Sequence, residues 1–294
     1  MDQFLQVVVS GVLTGSLYGL LSSGLSLSFG ITRVVNFAHG DIVTVGMFLA
    51  VASASALGVW FIPLALLGAI VVGGIGVLVF VSVLQRTAQY ASSENEAHLS
   101  QIAVTVGLSS VLQGALLLAF GPSSRSMGSR FGATWHIGSV YMPSAQVVAF
   151  VVSVVIFGVL HWAVNGTDFG RALRAVVDDR DAAAMSGVNA NRMFALTFGI
   201  GVALACVAGI LLATYIPSSP LTGTQYLAIA FVTVVLGGLG SVTGAFLGGI
   251  VVGVIQQASA NYIAIDMQNI VLWIAFVVIL MARPSGIFGL RRTA

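Results

Sequence analysis

Long apolar runs constrain the fold of this chain more than any other feature of its sequence. A helix needs about 20 mostly apolar residues to cross the roughly 30 Å hydrocarbon core of a bilayer. Nine runs reach or approach that length, some too short for a whole span: 4–29, 42–57, 61–84, 99–120, 145–164, 193–216, 225–239, 245–257 and 269–282. The pair after Gln225 predicts either two tilted spans or one helix broken at glycine. We therefore expect an all-α, polytopic transmembrane bundle of about eight spans.

Composition excludes several functions. With 58% apolar and 7% charged residues, the chain could not cover a soluble surface. Every basic residue is arginine, which excludes a Walker A phosphate loop, so ATP chemistry must come from another chain. The single cysteine, Cys206, lies in an apolar run, and the histidines show no metal-binding spacing. We expect no catalytic residue, metal or cofactor, and a net charge of +2 indicates no nucleic-acid partner.

Arginines in short loops predict the orientation, because such loops favour the cytoplasm. They are Arg171, Arg174, Arg180 and Arg192 in the middle of the chain and Arg283, Arg291 and Arg292 at its end. Counting spans backwards puts the N-terminus outside, provided that every early run crosses. No soluble run is long enough for a separate domain, so we expect one domain over residues 1–294.

The polar stretch at about 165–192 predicts two short helices outside the lipid. Thr167 or Asp168 can cap the first. Its apolar face would contain Phe169, Leu173, Val176 and Val177 at helical spacing, with Arg171, Arg174 and Asp178 beside them.

The second short helix follows a capping signal at Asp178 and Asp179. It would contain Ala182 and Ala183 and end at Gly187, a good C-terminal stop. Small alanines permit close approach to a partner. From composition alone, an amphipathic connector on the lipid headgroups explains this segment equally well.

The pattern Asp181-Ala182-Ala183, followed after three residues by Gly187, resembles the cytoplasmic coupling loop of ABC importer permeases, with Asp in place of Glu. The resemblance implies the ABC importer permease fold, in which a separate ATPase moves this loop. The residues that it assigns to ATPase coupling are Asp168, Arg171, Arg174, Asp178, Asp179, Asp181, Ala182, Ala183 and Gly187.

Three further stretches resemble the branched-chain amino acid permeases of the LivH type. They are 11–18 followed by 27–41, with the run from Arg33 through Asn36 and His39 to Asp41, the glycine-rich 235–245, and the ending 283–289. The resemblance implies a passive, multi-pass subunit in the cytoplasmic (inner) membrane of a prokaryote. It also implies a second permease subunit, as homodimer or heterodimer, two cytoplasmic ABC ATPase subunits, an external solute-binding protein and surrounding lipid.

The polar residues Arg33, Asn36, His39 and Asp41 form a possible translocation path, because charge at membrane depth should face protein or water. On a helix, Arg33 and Asp41 would share a face about 12 Å apart, too far to pair. Arg33 or Asn36 could contact the zwitterionic head of an amino acid. Alternatively, Asp41 caps the next span and Arg33 reaches the lipid phosphates.

Glycines at four-residue spacing predict close helix packing in lipid. Two such ridges occur, one of Gly11, Gly15 and Gly19 and the other of Gly240, Gly244 and Gly248. Their alternative role is a sliding surface against a partner permease.

Three functions agree with the sequence. The first is the permease subunit of an ATP-driven importer of branched-chain or similar small hydrophobic amino acids. The second is a permease of the same family for urea or short amides. The third is an ATP-independent channel or secondary transporter, which would leave the coupling segment without a purpose.

Overall fold

The computed structural model describes residues 2–32, 35–57, 61–127, 134–138, 140–283 and 286–288. Within them the chain forms twelve α-helices and one two-stranded sheet. The helices are α1 (Asp2–Thr32), α2 (His39–Leu57), α3 (Phe61–Val79), α4 (Gln85–Tyr90), α5 (Glu94–Phe120), α6 (Ser144–Gly166), α7 (Asp168–Asp178), α8 (Arg180–Met185), α9 (Ala190–Leu212), α10 (Gly223–Gly237), α11 (Val242–Tyr262) and α12 (Gln268–Ala282). A π-helical turn, Phe80–Leu84, joins α3 to α4. Strands β1 (Thr134–Ile137) and β2 (Val140–Pro143) pair in antiparallel register.

The apolar runs become the long helices of the bundle. Among the described residues, seven helices are long and apolar enough to cross a membrane, and the apolar helices His39–Ser55 and Gly223–Gly237 are shorter. The expected number of about eight spans agrees approximately with this result. Large apolar side chains on α3, α5, α6 and α12 face outward, as a lipid-covered surface requires.

Helix α1 packs in antiparallel orientation along α11 at the first glycine ridge. A Cβ atom at Gly11 would lie 2.6 Å from Cα of Val254, and one at Gly15 would lie 2.6 Å from the carbonyl oxygen of Gly249. Further along, Gly19 faces Phe246. Only glycine permits this backbone approach, because any side chain would overlap the facing helix.

The second predicted ridge is not one helical face. Gly240, with φ of 84°, lies in the turn before α11, whereas Gly244 and Gly248 are within that helix. A Cβ atom at Gly248 would lie 2.8 Å from the carbonyl oxygen of Thr233, so these two glycines face α10 instead. Helices α10 and α11 therefore form an antiparallel hairpin, and the alternative of one broken helix is wrong.

The contacts place each helix end relative to α7 and α8. Ser28 of α1 donates to the carbonyl oxygen of Thr197 near the start of α9 (3.4 Å), so α1 ends on the side where α9 begins. Since α9 follows α8 directly, the α1 C-terminus lies on the side of α7 and α8. The N-terminus lies on the opposite side, where Gln6 and Tyr141 of β2 exchange two hydrogen bonds of 2.8 and 2.9 Å.

The second span is broken. Helix α1 does not continue through Asp41, which excludes the single helix that the sequence permitted between Arg33 and Asp41. Helix α1 ends at Thr32 and α2 begins only at His39, whose Nε2 lies 3.1 Å from the carbonyl oxygen of Leu21. Thr32 lies eleven residues beyond Leu21 along α1, which is a rise of about 16 Å. The chain therefore returns by about this distance, toward the level of Leu21, before α2 begins. Residues 35–38, the described part of this return, are non-helical backbone, which a membrane protein tolerates only where protein or water covers it. Arg33 lies outside the described residues.

Candidate functional site

Helix α7 packs against the bundle through one apolar face. Gly170, Leu173 and Val176 are buried, and Phe169 is half-buried. Val177, on the predicted apolar face, is exposed and not buried. Gly170 is buried because its missing side chain lets α7 press against the backbone of Val164.

Polar contacts fix the angle between α6 and α7. Arg174 donates from Nη1 to the carbonyl oxygen of Val164 at 2.8 Å, which satisfies an orphan acceptor at the C-terminus of α6. Thr167 occupies the cap position, but its hydroxyl donates to Ala163 instead of capping α7. Asp168 does not cap α7 either, because its carboxylate pairs with Arg171 on the exposed face.

Helix α8, six residues long, is closed at both ends. The carboxylate of Asp179 accepts from the backbone N–H groups of Asp181 and Ala182 at 2.9 and 3.1 Å. At the other end, Gly187 adopts φ of 83°, and the paired bonds Gly187 N to Ala184 O and Val188 N to Ala183 O form a Schellman motif. Local sequence rules thus account for this helix.

The two alanines of the coupling pattern point in different directions. Ala183 is 3% exposed and packs into the bundle, whereas Ala182 is exposed. Met185, at the end of α8, is 86% exposed. The outer surface of α7 and α8 thus presents Ala182 and Met185 among Asp168, Arg171, Asp178 and Asp181, all of them exposed.

A polar cluster fills the interior where the broken span restarts. Asn36 is buried, and its side-chain oxygen accepts from the N–H of Ala38 at 3.1 Å. His39 is also buried and contacts α1 at Leu21, as described above. Asn36 therefore supplies the turn before α2, which sequence reasoning had assigned to Asp41 as a cap.

Asp41 joins three elements instead. Its carboxyl accepts from Ser109 Oγ at 2.5 Å and from Gln113 Nε2 at 2.9 Å, both on α5. A Cβ atom at Gly223, the first residue of α10, would lie 2.5 Å from Asp41 Oδ1. Ser109, Gln113 and Gly223 were missed in the sequence. For the two α5 residues the available signal was their polar character inside an apolar run.

Among the described residues, no group of three or more His, Cys, Asp or Glu side chains could hold a metal ion. Cys206 is a buried free thiol in α9.

A family model described as branched-chain amino acid transport system / permease component matches residues 7–280. The chain belongs to this family. It is therefore a multi-pass, inner-membrane permease subunit of the ABC transporter type and not itself an enzyme. The match covers both the broken second span and the α7–α8 segment.

Named relatives support this membership over nearly the whole permease. The high-affinity branched-chain amino acid transport system permease protein LivH of Salmonella typhimurium is 32% identical over 296 residues, which cover 97% of this chain and 96% of that protein. The corresponding protein BraD of Pseudomonas aeruginosa is 31% identical over the same shares of both chains. The fructose import permease protein FrcC of Rhizobium meliloti matches at 32% identity over only 42% of this chain.

Proposed function

We propose that this permease carries branched-chain or similar small hydrophobic amino acids into the cell, driven by ATP hydrolysis in partner subunits. The near full-length match to branched-chain amino acid permeases carries the proposal. No observation favours urea, short amides or ATP-independent transport.

The outer face of α7 and α8 is the proposed docking surface for a cytoplasmic ATPase. The proposed coupling residues are the exposed Asp168, Arg171, Arg174, Asp178, Asp179, Asp181, Ala182 and Gly187, together with Ala183, which is buried and holds α8 against the bundle. Two features support the role: the exposed Met185 offers an apolar anchor among charges, and the Asp179 cap with the Gly187 stop makes α8 rigid. Arg174 ties the adjoining helix α7 to α6, so a push on α8 can be transmitted through α7 to the bundle.

The remaining partners follow from the importer type. We propose one further permease subunit, identical or different, two ATPase subunits, and an external solute-binding protein on the face opposite α7 and α8. The β1–β2 hairpin, which carries the exposed Trp135 and Tyr141, lies on that opposite face and is a candidate contact for the binding protein.

The broken second span is the proposed border of the translocation path. Arg33, Asn36, His39 and Asp41 belong to it, and the three described residues are each hydrogen-bonded inside the protein. Non-helical backbone at membrane depth is typical of transporter binding sites. Phe37, 36% exposed between buried neighbours, is its accessible side chain.

Reconstitution tests the proposal. The permease, its partner subunits and a binding protein are placed in proteoliposomes with ATP on the ATPase side, and uptake of labelled leucine is followed. We expect uptake that requires ATP hydrolysis and the binding protein and that unlabelled isoleucine and valine suppress. Uptake that continues with a non-hydrolysable nucleotide, or that only urea suppresses, contradicts the proposal.

A further inference from the structure

A cavity of roughly 550 Å³ separates the α7–α8 segment from the α4–α5 corner on the coupling side. Its volume falls within the range of about 300–1,000 Å³ that is typical of small-molecule sites. The wall consists of the ends of α1 and α7, the beginnings of α5, α8 and α9, and the π-helical turn with α4. Asp178, Arg180 and Asn191 are exposed at its rim, so the cavity opens to solvent on that side.

Toward the interior of the bundle, the described residues leave little space beyond this cavity. Beyond it lies a space of about 10 Å³, which shares Phe80 and Gln101 with the larger cavity. Such a space holds at most one water molecule. Phe80, from the π-helical turn, and Phe198 have ring centroids 5.4 Å apart at this inner end. In this conformation the cavity is therefore a pocket that a solute enters and leaves from the coupling side.

The guanidinium of Arg180, at the rim of the cavity, is oriented so that it can bind an anion. The guanidinium of Arg180 lies 4.7 Å from the ring centroid of Phe194, which is buried and also lines the cavity. A guanidinium stacked in this way keeps its N–H donors in the plane, where a carboxylate can bind in bidentate fashion. Over the described residues, the one ion pair is Asp168–Arg171, so no carboxylate there pairs with Arg180.

The negative charge at the rim, on Asp178, lies at an electrostatically unfavourable position. Asp178 is the last residue of α7, where the helix dipole disfavours an acid, and the last turn of α7 contains no basic residue. Unlike its neighbour Asp179, it caps no helix. A bound ammonium group would relieve this repulsion. Phe80, Val176 and Phe194 supply apolar wall to the same cavity.

We propose that this cavity binds a small hydrophobic amino acid from the cytoplasm, with its carboxylate at Arg180, its ammonium at Asp178 and its side chain against Phe80, Val176 and Phe194. The ligand would link the α7–α8 segment to the α4–α5 corner. Because it stabilises the conformation that contains the cavity, it slows the movement of α7 and α8 and so lowers the transport rate. The inference rests on the proposed function and adds feedback by the imported solute.

The test uses the complete transporter in proteoliposomes with ATP and varied leucine on the inside. Initial uptake of labelled leucine is measured from outside. We expect uptake to fall as internal leucine rises, whereas isocaproate, which lacks the ammonium, and isoamylamine, which lacks the carboxylate, inhibit about tenfold less well. The analogues test the site in the unaltered protein.

Arg180→Gln tests the assigned residue, with each variant compared with its own rate at zero internal leucine. Half-inhibition should need about tenfold more internal leucine than in the unaltered protein. Arg192→Gln is the matched control, because Arg192 is exposed on the same side but does not line the cavity. It should keep the original inhibition curve.

Two results would overturn the inference while leaving the importer intact: normal uptake that internal leucine does not change, or equal inhibition curves for the Arg180→Gln variant and the unaltered protein. Absence of uptake at zero internal leucine would instead contradict the proposed function itself.

Discussion

Ser109 Oγ lies 2.5 Å from Asp41 Oδ2 across the interface between α2 and α5. This contact attaches a helix that begins at membrane depth to a neighbour that spans the bundle. Gln113, one turn further along α5, donates to the other carboxyl oxygen, so both oxygens of Asp41 are satisfied. The pair therefore fixes where the broken span restarts.

Removal of this attachment should destabilise the permease. We expect Ser109→Ala to lower the free energy of unfolding by about 1–3 kcal/mol, because a buried acceptor loses its donor. Ser110→Ala is the matched control: Ser110 is exposed, and its hydroxyl donates only to the backbone of its own helix. Titration with a denaturing detergent measures both variants. Equal stability of the two variants would show that the Asp41 contact contributes nothing.

The α1–α11 interface should not accept even one methyl group. We expect Gly15→Ala to cost about 1–3 kcal/mol or more, because its Cβ would lie 2.6 Å from the Gly249 carbonyl oxygen and 2.7 Å from Cα of Ile250. Gly114→Ala is the control, since nothing lies within 4 Å of the added carbon, and alanine stabilises an open helical position by about 0.4–1 kcal/mol. Opposite signs in the same unfolding assay are the expected result. A mild effect at Gly15 would contradict the close backbone contact.

Local features of the sequence predict much of this fold. The apolar run 145–164 corresponds to α6, Ser144–Gly166, because hydrophobicity and length alone decide a span. Likewise α8 is capped by Asp179 at its start and closed by Gly187 at its end, since caps depend on neighbours within a few residues.

The broken span could not be predicted, because its polar residues have distant partners. His39 contacts Leu21, 18 residues away, and Asp41 contacts Ser109 and Gln113, 68 and 72 residues away. The sequence permitted either one helix through Arg33 and Asp41 or a cap at Asp41, because nothing local marks the return of the chain by about 16 Å. The cavity beside Arg180 could not be predicted for the same reason, since six helices and the π-helical turn form its wall.

Met185 should be the anchor of the proposed ATPase contact. We expect Met185→Glu to reduce ATP-dependent uptake at least about tenfold without a change in stability, because its side chain is 86% exposed in the isolated permease. ATP hydrolysis that continues without uptake would accompany this loss. Met267→Glu is the control, since Met267 is partly exposed on the opposite face. Full uptake by the Met185 variant would remove α8 from the proposed interface.

Cysteine labelling should place α8 and the α11–α12 turn on opposite faces of the membrane. Cys206 is buried, so a newly added cysteine is the reactive one. We expect a membrane-impermeant maleimide to label Ile265→Cys from outside intact cells and Met185→Cys only in inverted vesicles, since both positions are well exposed. Gly158→Cys, in the middle of α6, should resist labelling from either side. Labelling of positions 185 and 265 from one face would contradict the orientation.

Alanine substitution at two glycines with positive φ can distinguish an effect on coupling to the ATPase from an effect on stability. Gly187 and Gly121 both adopt positive φ, 83° and 77°, and at both positions an added Cβ atom meets nothing within 4 Å. Alanine at either position should therefore cost about 1–3 kcal/mol of backbone strain, and Gly121, with ψ of 176°, lies in a region that glycine almost alone adopts. The consequences differ because Gly187 closes α8, whereas Gly121 ends α5 on the opposite face. We expect Gly187→Ala to lower uptake per ATP hydrolysed and Gly121→Ala to leave that ratio unchanged. Equal ratios in the two variants would show that the end of α8 transmits no movement.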